Sequence, residues 1–215
     1  MKQIFLGIVA PASALLPLFI SFVYFRFLNK ECKILTFYFI ITLSANAVNY
    51  CGAKSVFVDA DPYTWNIDIN KIESNITEKT KAIMPVHLYG NPCEMQAIRK
   101  IADKHRLFVV EDAAEAHGAS FDNKKVGSLS DISCFSFFAN KIITTGEGGM
   151  CLTNNPQLAD RLKLLRDHGM SKDKKYWHEV VGFNYRMTNL QAAVGLAQLE
   201  RINEFIDNKI IEIID

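Results

Sequence analysis

No run of basic residues occurs in the sequence, and its 24 Lys and Arg are nearly matched by 23 Asp and Glu. A phosphate-backbone footprint needs clustered cations with aromatic side chains between them, so this balance speaks against nucleic acid as a partner. There is no CxxC pair among Cys32, Cys51, Cys93, Cys134 and Cys151, and no histidine stands at ligand spacing from them. The zinc frameworks are therefore excluded and no metal site is expected. An odd, scattered set of cysteines also fits reduced thiols in a cytoplasm better than a secreted disulfide scaffold. GxGxxG after a strand is absent, which removes the dinucleotide-binding fingerprint of a generic Rossmann-type enzyme. Absent too is any Gly-Thr pair of the kind that opens a phosphate-binding helix.

What is present begins with enough apolar residues, 49% of 215, to bury one substantial core in one domain or slightly more. Their distribution is uneven. From Gln3 to Phe25 there is no charged residue, a length that crosses a bilayer as a helix, although Pro11 and Pro17 fall inside it. A second apolar run, Ile34 to Leu43, follows closely. Three origins compete for this N-terminal segment: a membrane anchor through residues 3–25, a buried part of an incomplete domain, or a stretch foreign to the ancestral protein after a frame disruption. The last is favoured. The expected division is an apolar segment at 1–44, an α/β core at 45–206, and the start of a further region at 207–215.

After Ala45 short apolar runs alternate with amphipathic stretches, the rhythm of an α/β layer structure with a mostly parallel sheet. Ser55 to Val58, Lys81 to Val86, Leu107 to Val110, Ile132 to Phe137 and Met150 to Thr153 read as strands. Asp68 to Ile76 reads as a helical turn or two, and Cys93 to His105 as a helix with Met95, Ile98, Ile101 and Ala102 on one face. A further helix is capped by Asn154 or Asn155 with Pro156 in its first turn. The last one starts near Thr188, with Leu190, Ala193, Val194, Ala197 and Ile202 in a stripe.

Ligands of open α/β sheets bind beyond the carboxyl ends of the strands. Two such ends carry chemistry here: Glu111 and Asp112 after Leu107 to Val110, and Ser136 to Lys141 at and beyond the end of Ile132 to Phe137. A lysine amine and a carboxylate are what a pyridoxal-phosphate site requires, the first to bond the cofactor and the second to hold its ring nitrogen protonated. Ser136 offers a hydroxyl to a phosphate. Taken singly, each has a plainer reading: Asp112 as a helix cap, Lys141 as a surface cation, Ser136 as a satisfied core hydroxyl. Spacing alone defines only an α/β enzyme core with a candidate phosphate-binding end.

Four longer strings are more specific. Val109-Val110-Glu111-Asp112-Ala113-Ala114-Glu115-Ala116-His117-Gly118 and Phe135-Ser136-Phe137-Phe138-Ala139-Asn140-Lys141-Ile142-Ile143-Thr144-Thr145-Gly146-Glu147-Gly148-Gly149-Met150 closely resemble the DegT/DnrJ/EryC1/StrS family of pyridoxal-phosphate-dependent sugar aminotransferases. Pro85-Val86-His87-Leu88-Tyr89-Gly90 and Gly182-Phe183-Asn184-Tyr185-Arg186-Met187-Thr188-Asn189 agree, in the family's order, over about three quarters of the chain. With Tyr176-Trp177-His178, the wording is most similar to the perosamine-forming branch, which aminates GDP-4-keto-6-deoxymannose at C4 for surface polysaccharide.

The resemblance implies an aminotransferase type I large-domain core and a homodimer with shared sites. It implies pyridoxal 5'-phosphate as cofactor, glutamate as amino donor and a nucleotide-linked keto-sugar as acceptor. Lys141 would be the Schiff-base lysine and acid/base, Asp112 the partner of the pyridine nitrogen, Glu115 the neighbour of the ring hydroxyl, and Ser136 a phosphate ligand. Asn184 would reach the phosphate in the neighbouring subunit, and His87, Tyr89 and Arg186 would line the substrate side. A related class of sugar dehydratases has His where this chain has Lys141, which favours transamination. Phe39 is a candidate for the aromatic that stacks on the cofactor ring. Family members are usually longer at both ends, so this chain is expected to be a fragment with little activity alone. The rival from another class is a membrane-anchored, non-catalytic binding protein.

Overall fold

The structure, a computed structural model, describes residues 4–8, 33–37 and 42–214. Its strands are β1 (Ile4–Ile8), β2 (Lys33–Phe37), β3 (Lys54–Val58), β4 (Thr80–Met84), β5 (Phe108–Asp112), β6 (Ser120–Phe121), β7 (Lys124–Lys125), β8 (Ile132–Ser136) and β9 (Gly149–Thr153). Its α-helices are α1 (Thr42–Tyr50), α2 (Ile69–Ile72), α3 (Met95–His105), α4 (Pro156–Arg166), α5 (Asn189–Leu199) and α6 (Ile202–Ile214). One sheet has the order β1-β9-β8-β5-β4-β2-β3, and β6 and β7 form a separate hairpin. The neighbours from β8 through β3 pair in parallel, whereas β9 is antiparallel to both β8 and β1.

Successive side chains on a strand point to opposite faces, and this alternation divides the core in two. Ala82, Met84 and Val110 join Val48 of α1 and Ala159, Leu162 and Leu165 of α4 on one face. Ile83 and Val109 join Ile72 of α2 and Met95, Ile98 and Ala102 of α3 on the other. Helices therefore cover both faces, the condition under which a parallel sheet reads as near-continuous apolar runs. Local chemistry sets the helix ends. Asn155 caps α4 by accepting the Gln157 and Leu158 N–H groups, with Pro156 at its first position. Thr188 and Gln191 form a reciprocal capping box at α5.

Three sequence expectations change. The apolar run from Gln3 does not begin as a helix, because Ile4–Ile8 pairs along β9, which has no other partner on that side. Residues 9–25 of that run, and Phe39, lie outside the described residues. The expected boundary at Ala45 falls inside α1, and β2 sits between β4 and β3 in the parallel set. Residues 33–37 thus lie within the sheet. Finally, the apolar stripe of α5 is not covered: Leu190 and Val194 are exposed, and no α5 residue is buried. Among the described residues no helix is long and apolar enough to cross a membrane. Cys93, Cys134 and Cys151 are free thiols.

The β5 strand runs two residues past its apolar segment, because Asp112 donates its N–H to Pro85 O at 2.9 Å and accepts from the His87 N–H at 3.0 Å. Glu111 is consequently inside the sheet and fully buried. Its Oε1 accepts from His87 Nε2 at 3.0 Å and from the Gly127 N–H at 2.5 Å. Oε2 accepts from Ser130 Oγ at 2.8 Å and from the Leu129 N–H at 3.3 Å. His87 Nδ1 takes the Cys93 N–H at 3.0 Å, which assigns the ring proton to Nε2. One carboxylate thus ties β5 to the start of α3 and to the loop before β8. Glu111→Ala strands three donors, the His87 ring N–H and the Gly127 and Leu129 N–H groups, since Ser130 Oγ can turn to Ile132 O, and should lower stability by about 3–5 kcal/mol in urea unfolding, against about 1 kcal/mol or less for the partly exposed Glu115→Ala. Equal losses would show that the network is not what fixes this end of the strand.

Candidate active site

Glu111 and its neighbour face opposite sides of β5, so Asp112 meets the N-terminal part of α1 instead of the core network. Ser44 Oγ donates to Asp112 Oδ2 at 2.6 Å, and the Ala114 N–H donates to Oδ1 at 3.1 Å. Burial pushes this carboxyl above its ordinary range, while the Ser44 and Ala114 hydrogen bonds and nearby His87 pull it back. A carboxylate has about four lone-pair sites, so two remain for a further donor.

The turn after β5 brings Glu115 beside a second turn. Tyr89 is a non-glycine residue at φ 50°, followed by Gly90 at φ 83°. That backbone directs the Tyr89 N–H to Glu115 Oε2 at 3.0 Å. A Cβ on Gly90 would come within 3.1 Å of the Glu115 carbonyl oxygen, so the two turns touch backbone to backbone. On its other side Glu115 Oε1 lies 3.3 Å from Lys141 Nζ, and the two side chains are only 28% and 15% exposed.

Lys141 sits in the loop from β8 to β9, which closes on itself. Phe137 donates its N–H to Gly148 O at 2.8 Å, its carbonyl accepts from the Thr145 N–H and Thr144 Oγ1, and the Lys141 N–H reaches Phe138 O at 3.0 Å. Ser136, buried at the strand end, accepts the Phe138 N–H at 3.3 Å and keeps its own hydroxyl proton for another acceptor. Nearby His117 is 6% exposed, between the rings of Phe135 and Phe137 at 5.2 and 6.0 Å. Neither of its ring nitrogens has a hydrogen-bond partner among the described residues; the Ser136 backbone lies beside it without ordinary hydrogen-bond geometry. Burial brings its pKa down from 6.5 to about 4.

Of the residues singled out in the sequence, Asp112, Glu115, Ser136 and Lys141 therefore gather where β5 and β8 end. Tyr89 joins them through its backbone, with its ring 71% exposed. His87 does not: it is fully buried and committed to Glu111 and Cys93, so it cannot line a substrate surface. Asn184 and Arg186 lie beyond α4, where Asn184 bridges Asp167 and Arg186 Nη1 approaches Asp167 Oδ2 at 3.5 Å. Both are exposed. Ser44 was not marked by the sequence, since its pairing with Asp112 spans 68 positions with no local signature. Two open cavities lie elsewhere, about 650 Å³ between α3 and the β6–β7 hairpin and about 720 Å³ beside His168 and Gly182. Their linings mix opposite charges or are mainly loop backbone, whereas the four gathered side chains supply an amine, two carboxylates and a hydroxyl. Among the described residues no group of three or more His, Cys, Asp or Glu is placed to hold a metal ion.

An aminotransferase-type sheet with a lysine loop at its carboxyl edge defines the class, and comparison with known proteins agrees. The model of the DegT/DnrJ/EryC1/StrS aminotransferase family matches residues 23–213, and the chain belongs to that family. It is 60% identical over 163 residues to a GDP-perosamine synthase of Caulobacter vibrioides, covering 76% of this chain and 44% of that protein. A GDP-perosamine synthase of Escherichia coli O157:H7 is 54% identical over 166 residues, 77% of this chain and 46% of that one. The chain thus spans about half the length of the curated relatives it matches. Among solved structures, NtdA from Bacillus subtilis with bound cofactor PMP superposes with a TM-score of 0.81 at 32% identity, over 92% of this chain and 44% of that one.

The depressed His117 pKa sets a direction for acid sensitivity. Between pH 6.5 and about 4 the unfolded chain binds a proton that the folded chain refuses, so stability falls as pH drops through that window. The loss from this one group is about 3 kcal/mol by pH 4. Urea unfolding at neutral pH and near pH 4 should show a smaller acid loss in His117→Phe than in the wild type; parallel losses would mean that the ring gains a partner on protonation.

Proposed function

We propose that this chain carries the pyridoxal-phosphate site of a sugar aminotransferase, which moves an amino group from glutamate to a nucleotide-linked 4-keto-6-deoxy sugar. The observation that carries the proposal is the approach of Lys141 Nζ to Glu115, 3.3 Å apart, in the turn directly after Asp112. The residues present fit the cofactor. Asp112 has lone pairs left for a pyridinium N–H, the Ser136 hydroxyl proton is uncommitted toward a phosphate oxygen, and Lys141 supplies the one amine between them. When bound, pyridoxal phosphate supplies an aldehyde that takes up the amino group and a ring that withdraws electrons from the carbon losing its proton.

The chain's own groups do the rest. Lys141 Nζ would hold the cofactor and, once the donor's amine displaces it there, would be free to move the proton at the donor carbon, a transfer that needs the amine held in place. Glu115, fixed by the Tyr89 N–H, receives Lys141 and would serve the ring hydroxyl. Ser44 orients Asp112, whose remaining lone pairs would accept from the ring nitrogen. Pairing with a cation there offsets the burial that raises the Asp112 pKa. Asn184 and Arg186, exposed and bonded only near Asp167, suit a role at the site of a second copy, and a homodimer with shared sites is part of this proposal.

Support for the sugar comes from the two GDP-perosamine synthases, which make GDP-4-keto-6-deoxymannose the acceptor to test first. Pyridoxal phosphate added to the purified chain should give a visible absorption band, and borohydride should fix the cofactor to the peptide that contains Lys141. Lys141→Ala should abolish both signals. Asp112→Asn should keep the label but slow amino transfer from glutamate by about 10²-fold or more. Labelling spread over surface lysines, with none at Lys141, would sink the proposal.

A further inference from the structure

α5 buries none of its residues, yet two of its polar side chains and its glycine meet the lysine loop. Gln198 Oε1 accepts the Thr144 N–H at 3.0 Å, and its Nε2 donates to Thr144 O at 2.6 Å. One side-chain amide thus satisfies both polar backbone groups of a single residue, three positions beyond Lys141. Two turns earlier on the same face, Gln191 Nε2 donates to Glu147 O at 3.3 Å. Gly195 lies between them, and a Cβ there would meet Thr145 Cγ2 at 2.9 Å, so the helix needs glycine to come this close. The loop's other bonds run to Phe137 or stay within it, as Thr145 Oγ1 to Glu147 O and the Gly146 N–H to Thr144 Oγ1 do. It is gripped from the strand on one side and from α5 on the other.

Such a grip matters because the loop turns at Gly146 and Gly148, with φ of 78° and 139°, residue types whose backbone has many alternatives unless contacts select one. A lysine side chain is long and rotamer-rich, so its amine is placed only as well as the backbone beneath it. We propose that Gln198 is a positioning residue for Lys141: by clamping Thr144 onto α5 it holds the lysine loop where Nζ meets Glu115. This rests on the reading of Lys141 as the cofactor lysine, but the clamp has consequences without any cofactor. Because α5 otherwise exposes Leu190, Val194, Leu196 and Leu199, the clamp also makes the lysine sensitive to where the helix lies.

The full chain serves as wild type, Gln198→Met, Gln198→Glu and Leu190→Ser, the last as a control on an exposed site of the same helix. Without cofactor, hydrogen exchange reads residues 142–148 and competitive acetylation with acetic anhydride reads the Lys141 amine against exposed lysines such as Lys104. Gln198→Met should speed exchange at Thr144 by about tenfold. It should also raise Lys141 acetylation several-fold relative to Lys104, and displace the pH midpoint of Lys141 labelling. Gln198→Glu keeps an acceptor for the Thr144 N–H but sets its second oxygen, which has no proton to give, against the Thr144 carbonyl, so its exchange should fall between wild type and Gln198→Met, while Leu190→Ser should match the wild type throughout. A contact that only docks the helix would shift the urea midpoint and leave the Lys141 pH profile alone; that result, or unchanged exchange in Gln198→Met, overturns the proposal. Borohydride trapping of pyridoxal phosphate on the wild type is scored separately: its failure at Lys141 removes the cofactor reading, and the acetylation and exchange results still decide the clamp.

Discussion

Everything at the carboxyl edge of the sheet depends on the two-residue alternation at the end of β5. Glu111 and Asp112 are adjacent carboxylates that must point to opposite faces. The first is consumed by the fold: four donors surround it, and through His87 it reaches the start of α3. The second is left for chemistry, held by one hydroxyl and one backbone N–H and otherwise available. A one-residue slip of β5 would exchange these roles, placing Asp112 among the core donors and Glu111 on the face that meets α1. The network around Glu111 prevents that slip, because a buried carboxylate cannot abandon its donors without a large desolvation cost.

Much of this was legible in the sequence, and the reasons are local. β4, β5 and β8 are short apolar runs ending at polar residues, which is how buried parallel strands look. Caps at Asn155 and Thr188 are signalled by residues within three positions of them. Asp112, Glu115, Ser136 and Lys141 all stand in the motif strings, and the structure puts them at or just beyond neighbouring strand ends. The failures were of a different kind. His87 sits in a motif and carries a reactive side chain, but whether it faces a pocket or the core depends on Glu111, 24 residues away. Composition left the origin of residues 1–44 open between a membrane anchor, a buried part of the domain and a foreign stretch, because a central parallel strand such as β2 is apolar for the same reason that a membrane segment is.

Long-range bonds are what the sequence concealed, and they are also what assemble the site. Ser44 to Asp112 spans 68 positions, Lys141 to Glu115 spans 26, and Gln198 to Thr144 spans 54. Each joins a side chain from one element to a turn or strand end of another, with a donor and acceptor geometry that no periodic pattern encodes. Hydrogen bonds of this sort add little to stability individually, since folding exchanges them for bonds to water. Their effect is on position, and the meeting of Lys141 with Glu115 is limited by position first.

The placement of α5 follows from the same logic. A helix that buries no side chain gains little from the hydrophobic effect at its contact with the domain, so its attachment must come from directional contacts. Gln198, Gln191 and Gly195 provide these, and all three converge on residues 144–147 rather than on the sheet. The helix is thereby coupled to the lysine loop more directly than to the core. The exposed Leu190, Val194, Leu196 and Leu199 thus lie on a helix whose Gln198 holds Thr144, three residues after Lys141.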